Sequence, residues 1–269
     1  MTSEPLHYVG VDWASGAWIA VVYSDENDAP EAEVFDTIRD VWSEYGESCR
    51  RVVVDVPIGL CESVDADECT CREEDGEIFR ACDSLARRAV GDRYRSVFTP
   101  PARESARLAA ADEVDYSEVT EKNKELTGKG LTRQAAGIAR GIVEVEQLLL
   151  NGGDSDKLVE GHPEVCFRAF NGEVLEHGKK TAPGVHERLS AMTNVEEYCD
   201  QHWRHLAESL GTKGGTVGLD DLLDALVLAL TAFADDAEYK SLPSQPLTDP
   251  KGLPMQMVYR SEHRLVDQV

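Results

Sequence analysis

The sequence predicts an α/β fold: a mixed five-stranded sheet flanked by helices, with a helical insertion after the fourth strand. Three observations lead there. Short apolar runs broken by turn residues fill the first part of the chain. Two β-branched runs, Tyr8-Val9-Gly10-Val11-Asp12-Trp13-Ala14 and Arg51-Val52-Val53-Val54-Asp55-Val56-Pro57-Ile58-Gly59-Leu60, each drive straight into an aspartate and then a turn. The stretch 61–156 then becomes helical and charged before strand character returns.

Taken in order, residues 7–13 predict a strand, Ala14-Ser15-Gly16 a tight turn, 17–23 a second strand, 24–30 a polar loop and 31–35 a third strand. These make an antiparallel meander. A helix over 37–45 follows, and the second aspartate-bearing strand must then cross over to lie parallel to the first and beside it. Within the insertion the amphipathic segments are 79–90, 103–111 and 132–150. A strand is expected over 157–167, then helices over 184–192, 195–210 and 219–235. A Pro-rich stretch, 242–254, leads into a short last strand, 255–259. The 269 residues suffice for one domain that includes the insertion.

The chain holds 27 Lys+Arg against 51 Asp+Glu, a net charge of -24. Such a charge ordinarily repels nucleic acid. Here the acid is spread along the whole chain and lysine is sparse, the composition expected of a halophilic proteome bathed in molar salt, where the Debye length is about 3 Å. Global charge then excludes little. Locally, seven arginines from Arg80 to Arg107 face only Asp83, Asp92 and Glu104, and Lys122, Lys124, Lys129, Arg133 and Arg140 continue the basic run. This island either holds an anionic ligand or pairs within the molecule. The N-terminus lacks a basic region and apolar core, so a cytoplasmic location is expected. The apolar stretch 225–234 falls short of the roughly 20 residues a bilayer requires, so no membrane association is expected. Seven cysteines suggest reduced thiols rather than a disulfide framework. A zinc site at Cys61, Cys69, Cys71 and Cys82 ranks lower, because Cys-x-Cys is not the usual zinc-knuckle spacing.

If the crossover is as described, Asp12 and Asp55 end neighbouring parallel strands at one sheet edge, where α/β sheets place their sites. The helix beginning Asp220-Asp221-Leu222-Leu223-Asp224 is apolar nearly all round and must be packed. Asp220 is expected as its N-cap. Asp221 and Asp224, three apart, share one face near the positive end of the helix dipole. Two carboxylates about 4 Å apart repel by about 4 kcal/mol at an effective dielectric of 20, so four require a cation. An all-oxygen donor set selects magnesium or manganese. Two such ions would suit phosphodiester hydrolysis. Arg80, Asp83 and Arg87, at i, i+3 and i+7, predict either a phosphate grip or an ion-pair ladder. Lys179 and Lys180 precede a helix and offer a further phosphate contact.

Val9-Gly10-Val11-Asp12-Trp13-Ala14, Val54-Asp55-Val56-Pro57-Ile58-Gly59-Leu60, Arg80-Ala81-Cys82-Asp83 with Arg87, Arg93-Tyr94-Arg95-Ser96-Val97-Phe98, Glu160-Gly161-His162-Pro163-Glu164-Val165-Cys166-Phe167, Lys179-Lys180-Thr181 and Asp220-Asp221-Leu222-Leu223-Asp224-Ala225 together resemble domain of unknown function 429. This is a family predicted to comprise RNase H-like nucleases, and the likeness runs from Tyr8 to Tyr259. The resemblance implies an RNase H-like sheet. It implies that Asp12 is the acid of the first strand, Asp55 that of the fourth, and Asp221 with Asp224 the pair on the last helix, as in Holliday-junction resolvases. Glu160 and Glu164 depart from the superfamily pattern. Alternation along the expected strand puts Glu160, His162 and Glu164 on one face, with Glu160 the preferred metal-facing acid and Glu164 a possible second. His162 is either a proton shuttle or a structural histidine. The expected site is thus Asp12, Asp55, Glu160, Asp221 and Asp224 for metal and catalysis, with Arg80, Arg87, Arg93, Ser96, His162 and Lys180 on the substrate.

The function expected is metal-dependent hydrolysis of RNA or of hybrid or branched nucleic acid. The alternative is a non-catalytic nucleic-acid- or protein-binding module on the same fold. An actin-like ATPase or kinase ranks last, because this chain lacks the duplicated domain such enzymes require.

Overall fold

The structure, a computed structural model, describes residues 6–266 except 15, 28, 64–69, 75–76, 112, 212–214 and 216. The meander is β1 (His7–Ala14), β2 (Ala17–Ser24) and β3 (Glu31–Phe35). Helix α1 (Ile38–Tyr45), capped by the Thr37 side chain, returns the chain to β4 (Cys49–Val54). The segment 61–156 holds a small hairpin, β5 (Arg72–Glu74) and β6 (Glu77–Phe79), then α2 (Ala81–Ala89) and a 3-10 turn (Gly91–Ser96). It continues through α3 (Arg103–Ala109), α4 (Tyr116–Thr127), α5 (Arg133–Gly137) and α6 (Ala139–Leu150). After β7 (Leu158–Glu160) come α7 (Pro163–Asn171), α8 (Ala182–Thr193), α9 (Cys199–Ser209) and α10 (Leu219–Ala232). The ribbon β8 (Tyr239–Thr248) with β9 (Pro254–Arg260) ends the fold.

The sheet is mixed and five-stranded, in the order β3-β2-β1-β4-β7, with β4 parallel to β1 and β7 parallel to β4. Alternation divides its side chains. Val9, Val11, Val52, Val54 and Leu158 face α1 and α6, packing with Ile38, Val41, Ile142 and Val145. Ile19, Val21, Val53 and Val159 face the other way, onto α10, α7 and α2. Segment 61–156 therefore supplies helices to both faces of the sheet.

One glycine seats α10. A Cβ at Gly10 would lie 2.0 Å from Ala229 N and 2.2 Å from Ala225 O, so the helix backbone rests directly on β1 at that residue. Residues two apart share a strand face, which turns Asp12 toward α10 as well. From Leu222 to Ala232 the helix is buried throughout, as its all-round apolar sequence requires.

Several local expectations are corrected. The strand expected over 157–167 ends at Glu160, and Pro163 opens α7 at its first turn, where a missing N–H removes no hydrogen bond. Helix 132–150 breaks at Ile138, directly after Gly137. The Pro-rich stretch is largely β8 itself, in a two-stranded ribbon whose open edge tolerates Pro243 and Pro246. Helix α4, capped by Asp115, and the β5/β6 hairpin were not foreseen.

Candidate metal centre

Strand pairing builds the floor of the site. Val11 pairs with Val54, and Asp55 N donates to Val11 O at 2.9 Å, which sets Asp55 beside Asp12 at the ends of two parallel strands. Asp55 follows Val53 by two residues and so lies on the α10 face. Asp224, one residue before the Ala225 that touches Gly10, enters from above. Each of Asp12, Asp55 and Asp224 offers one oxygen, all within 4.8 Å of one another. Asp12 and Asp224 are buried and Asp55 is partly buried.

These carboxylates are electrostatically frustrated. Burial, then the charges of Asp55 and Asp224, pushes Asp12 well above the usual carboxylate range. Burial lifts Asp55 to about 6 and Asp224 to about 7, although Lys179 pulls both down. Lys179 Nζ donates to Asp224 Oδ2 and lies 3.6 Å from Asp220. Against the cost of its own burial, Asp224, Asp55 and Asp12 hold Lys179 above its ordinary value. With all three acids ionised, one ammonium leaves two negative charges. Asp224 Oδ1 is buried without a hydrogen-bond partner. A buried carboxylate oxygen left bare is costly, and a hard divalent cation satisfies it. The donor set, the residual charge and the orphaned oxygen all fit magnesium or manganese.

The other expected residues distribute differently. Asp221 lines the same cleft, but its Oδ2 accepts from Gly218 N at 2.9 Å. The N-cap is Gly218, not Asp220, and Asp221 reaches back to close it. Glu160 stands outside the cluster. It pairs with Val54 across β4 and β7, so it shares the face of Val54, opposite that of Asp55. Both its oxygens are bound by Arg80, at 2.7 and 2.8 Å, and Oε2 also accepts from Ile58 N. Glu164, in the first turn of α7, is the acid whose charge reaches Asp55 and Asp224. It is paired with Arg188 and with Arg93, the latter at 3.0 Å.

The expected phosphate grip dissolves into structure. Arg80 is 1% exposed and spends its donors on Glu160, Asp83, Ile58 O and Gly59 O. Arg87 binds Val97 O and Thr99 Oγ1, pinning the chain that carries Ser96 and Phe98. Arg103 ties Glu62, Glu146 and Asp249 together. Much of the basic island is thus paired within the molecule. Arg93, Ser96 and His162 line the cleft. His162 Nε2 lies 3.3 Å from Ser96 O. A carbonyl only accepts, so Nε2 carries the proton and Nδ1, buried and without a protein partner, is a bare acceptor. Burial lowers the His162 pKa and keeps the ring neutral. Lys180 is 79% exposed at its side chain, 3.5 Å from Asp220. Its neighbour Lys179 is the lysine at the acids. Both belong to the basic pair before α8, but which one turns inward depends on the loop's path.

Cys61 and Cys71 are joined by a disulfide, with Cα atoms 6.0 Å apart, which overturns both the all-reduced expectation and the four-cysteine zinc site. Cys82, in the first turn of α2, is buried in the core, and Cys69 lies outside the described residues. Cys49, Cys166 and Cys199 are buried packing residues, as expected. No helix among the described residues is long and apolar enough to cross a membrane.

Comparison with known proteins gives a family model described as "Protein of unknown function (DUF429)", which matches residues 10–248. Neither the curated proteins nor the solved structures contain a match.

Proposed function

The chain belongs to the DUF429 family, whose function is unknown, and we propose that it is a divalent-metal-dependent phosphodiester hydrolase, a nuclease of RNase H-like type. The observation that supports this reading above all is the triad Asp12, Asp55 and Asp224, gathered within 4.8 Å from three separate segments. At that spacing each ionised pair repels by about 3 kcal/mol at an effective dielectric of 20. A fold that served stability alone would gain by losing one of them.

Asp12, Asp55 and Asp224 would hold the ion, and Asp224 Oδ1 has no competing partner. A bound magnesium or manganese supplies Lewis-acid polarisation of a phosphoryl oxygen and makes a water more acidic. The chain's own residues do the rest. Lys179, beside the acids, places a positive charge where phosphate oxygens approach. Arg93 presents a second at the cleft wall while Glu164 orients it. Neutral His162, fixed through Nε2, leaves Nδ1 as an unpaired hydrogen-bond acceptor beneath the cleft wall. One ion fits the triad. A second would need Asp221 to release Gly218 N, or Glu164 to release Arg93 and Arg188.

A second reading draws on Lys179, which already compensates part of the charge: a binding module whose carboxylates serve metal-linked stability without turnover. Hydrolysis of bis(4-nitrophenyl) phosphate in manganese separates the two. The nuclease reading expects turnover by wild type and none by a folded Asp12→Asn variant. If manganese raises the melting temperature of wild type but neither protein cleaves the ester, the binding module stands instead.

A further inference from the structure

We propose that the cleft above the triad accepts an unpaired nucleotide of a single strand, and that its wall, built from Trp13 and from residues within 93–98 and 134–138, keeps a paired duplex away from the acids. The proposal rests on the phosphodiester reading and names the substrate class of that site.

Size is the first argument. The cleft has a volume of about 240 Å³, below the roughly 300–1,000 Å³ of ordinary small-molecule sites and enough for about one nucleotide. Its floor carries the triad acids, while the carboxylates of its sides, Glu160 and Glu164, are neutralised by Arg80, Arg93 and Arg188. The 3-10 turn contributes Arg93 and Ser96, the chain after it Phe98, α5 contributes Gln134, the break between α5 and α6 Ile138, and β1 contributes Trp13. A duplex presents its phosphates on a broad convex surface with the bases paired inside. It cannot lower a phosphodiester to the floor of so small a cleft and remain paired there. An unpaired strand can, because its backbone bends and its bases turn out.

Chemistry of the wall is the second argument. Trp13 and Phe98 are half-buried, leaving ring surface at the cleft. Base stacking on aromatic rings tolerates any sequence, since every base has a π face. Gln134, exposed on the wall, offers both a donor and an acceptor to a base edge.

Rigidity is the third. The Trp13 ring lies 4.8 Å from that of Trp18, whose indole donates to Glu144 of α6 at 2.9 Å. On its other side α6 comes so close that a Cβ at Gly141 would stand 3.0 Å from Trp13 Cγ. The helix is therefore pressed against the residue next to Asp12. Arg87, bound to Val97 O and Thr99 Oγ1, fixes Phe98 between them. The wall is tied through Trp13 and Trp18 to the strand that carries Asp12 and is not built as a free flap.

The test is fluorescence anisotropy of a labelled 12-nucleotide RNA, alone and annealed to complementary DNA, titrated with the full-length protein in calcium. We expect the single strand to bind at least about ten-fold more tightly than the hybrid. Phe98→Ala should weaken single-strand binding about ten-fold, the size of one lost stacking contact, with the hybrid unaffected. Ile138→Ala, a milder change in the same wall, should narrow the preference if Phe98→Ala does not fold. Equal or tighter binding of the hybrid overturns the proposal, as does no binding of either nucleic acid. Unchanged single-strand affinity in both folded variants overturns it as well. Hydrolysis of bis(4-nitrophenyl) phosphate reports the phosphodiesterase reading separately. A protein that cleaves that ester and binds the hybrid as well as the strand loses this inference alone. One that binds the strand selectively and cleaves nothing keeps it and loses the hydrolase.

Discussion

Replacing Asp224 by asparagine should stabilise the metal-free protein at alkaline pH and abolish its response to manganese. Asp224 is 2% exposed, and burial together with the Asp55 charge lifts its carboxyl from 3.8 to about 7. Between those values the folded protein holds more protons at this site than the unfolded chain does. Stability therefore falls as pH rises through the window, and the full penalty stands above about 7. At about 1.4 kcal/mol for each factor of ten in proton affinity, the gap between 3.8 and about 7 amounts to about 4 kcal/mol. About 3 kcal/mol of this accrues between about pH 5 and about pH 8. Asparagine keeps the shape and cannot ionise, so the variant lacks the penalty. For a chain of this size each kcal/mol moves the melting midpoint by roughly 2–4 °C, so wild type should lose roughly 6–12 °C relative to the variant across that range. The assay is thermal unfolding in EDTA, repeated in excess manganese. Manganese at a hundred times its Kd adds about 2.7 kcal/mol to wild type, and the variant should gain almost nothing. A difference between the two proteins that stays constant with pH, or that grows in wild type's favour as pH rises, refutes the reasoning. So does an equal manganese response.

Arg80→Lys should lower stability by about 3 kcal/mol, because lysine cannot serve Glu160 and Asp83 at once and leaves a buried charge unpaired. Urea unfolding measures it, and weakened oligonucleotide binding without loss of stability would return Arg80 to the substrate. Lys179→Ala should tighten manganese binding about ten-fold or more by calorimetry, since an ammonium and a metal ion compete for the same acids. Lys180→Ala should leave manganese affinity unchanged within about two-fold, its side chain being solvated. Gly10→Ala should cost more than about 4 kcal/mol or prevent folding, because the new Cβ meets the α10 backbone rather than a side chain that can move. A soluble variant melting within a few degrees of wild type would displace α10 from β1.

The sheet and two of the acids were legible because their signal is local. A β-branched run that ends on a carboxylate marks a strand end and a site together, and Asp12 and Asp55 needed only the parallel crossover to become neighbours. Asp224 was legible because the helix around it has no polar face to which a carboxylate could escape. What failed depends on pairing between distant segments. Glu160 has the same credentials as Asp55, an acid at the end of a strand, yet β7 meets β4 with Glu160 against Val54 rather than against a residue of Asp55's face. That single step of parity sends it to Arg80, and Arg80 is then no longer available to a phosphate. The two misassignments are one event. A buried guanidinium must find carboxylates, and the acid turned away from the metal face supplies them. Of the two lysines expected to meet a phosphate, Lys179 instead contacts the triad and Lys180 stays in solvent, a choice set by the loop before α8 that spacing alone does not reveal.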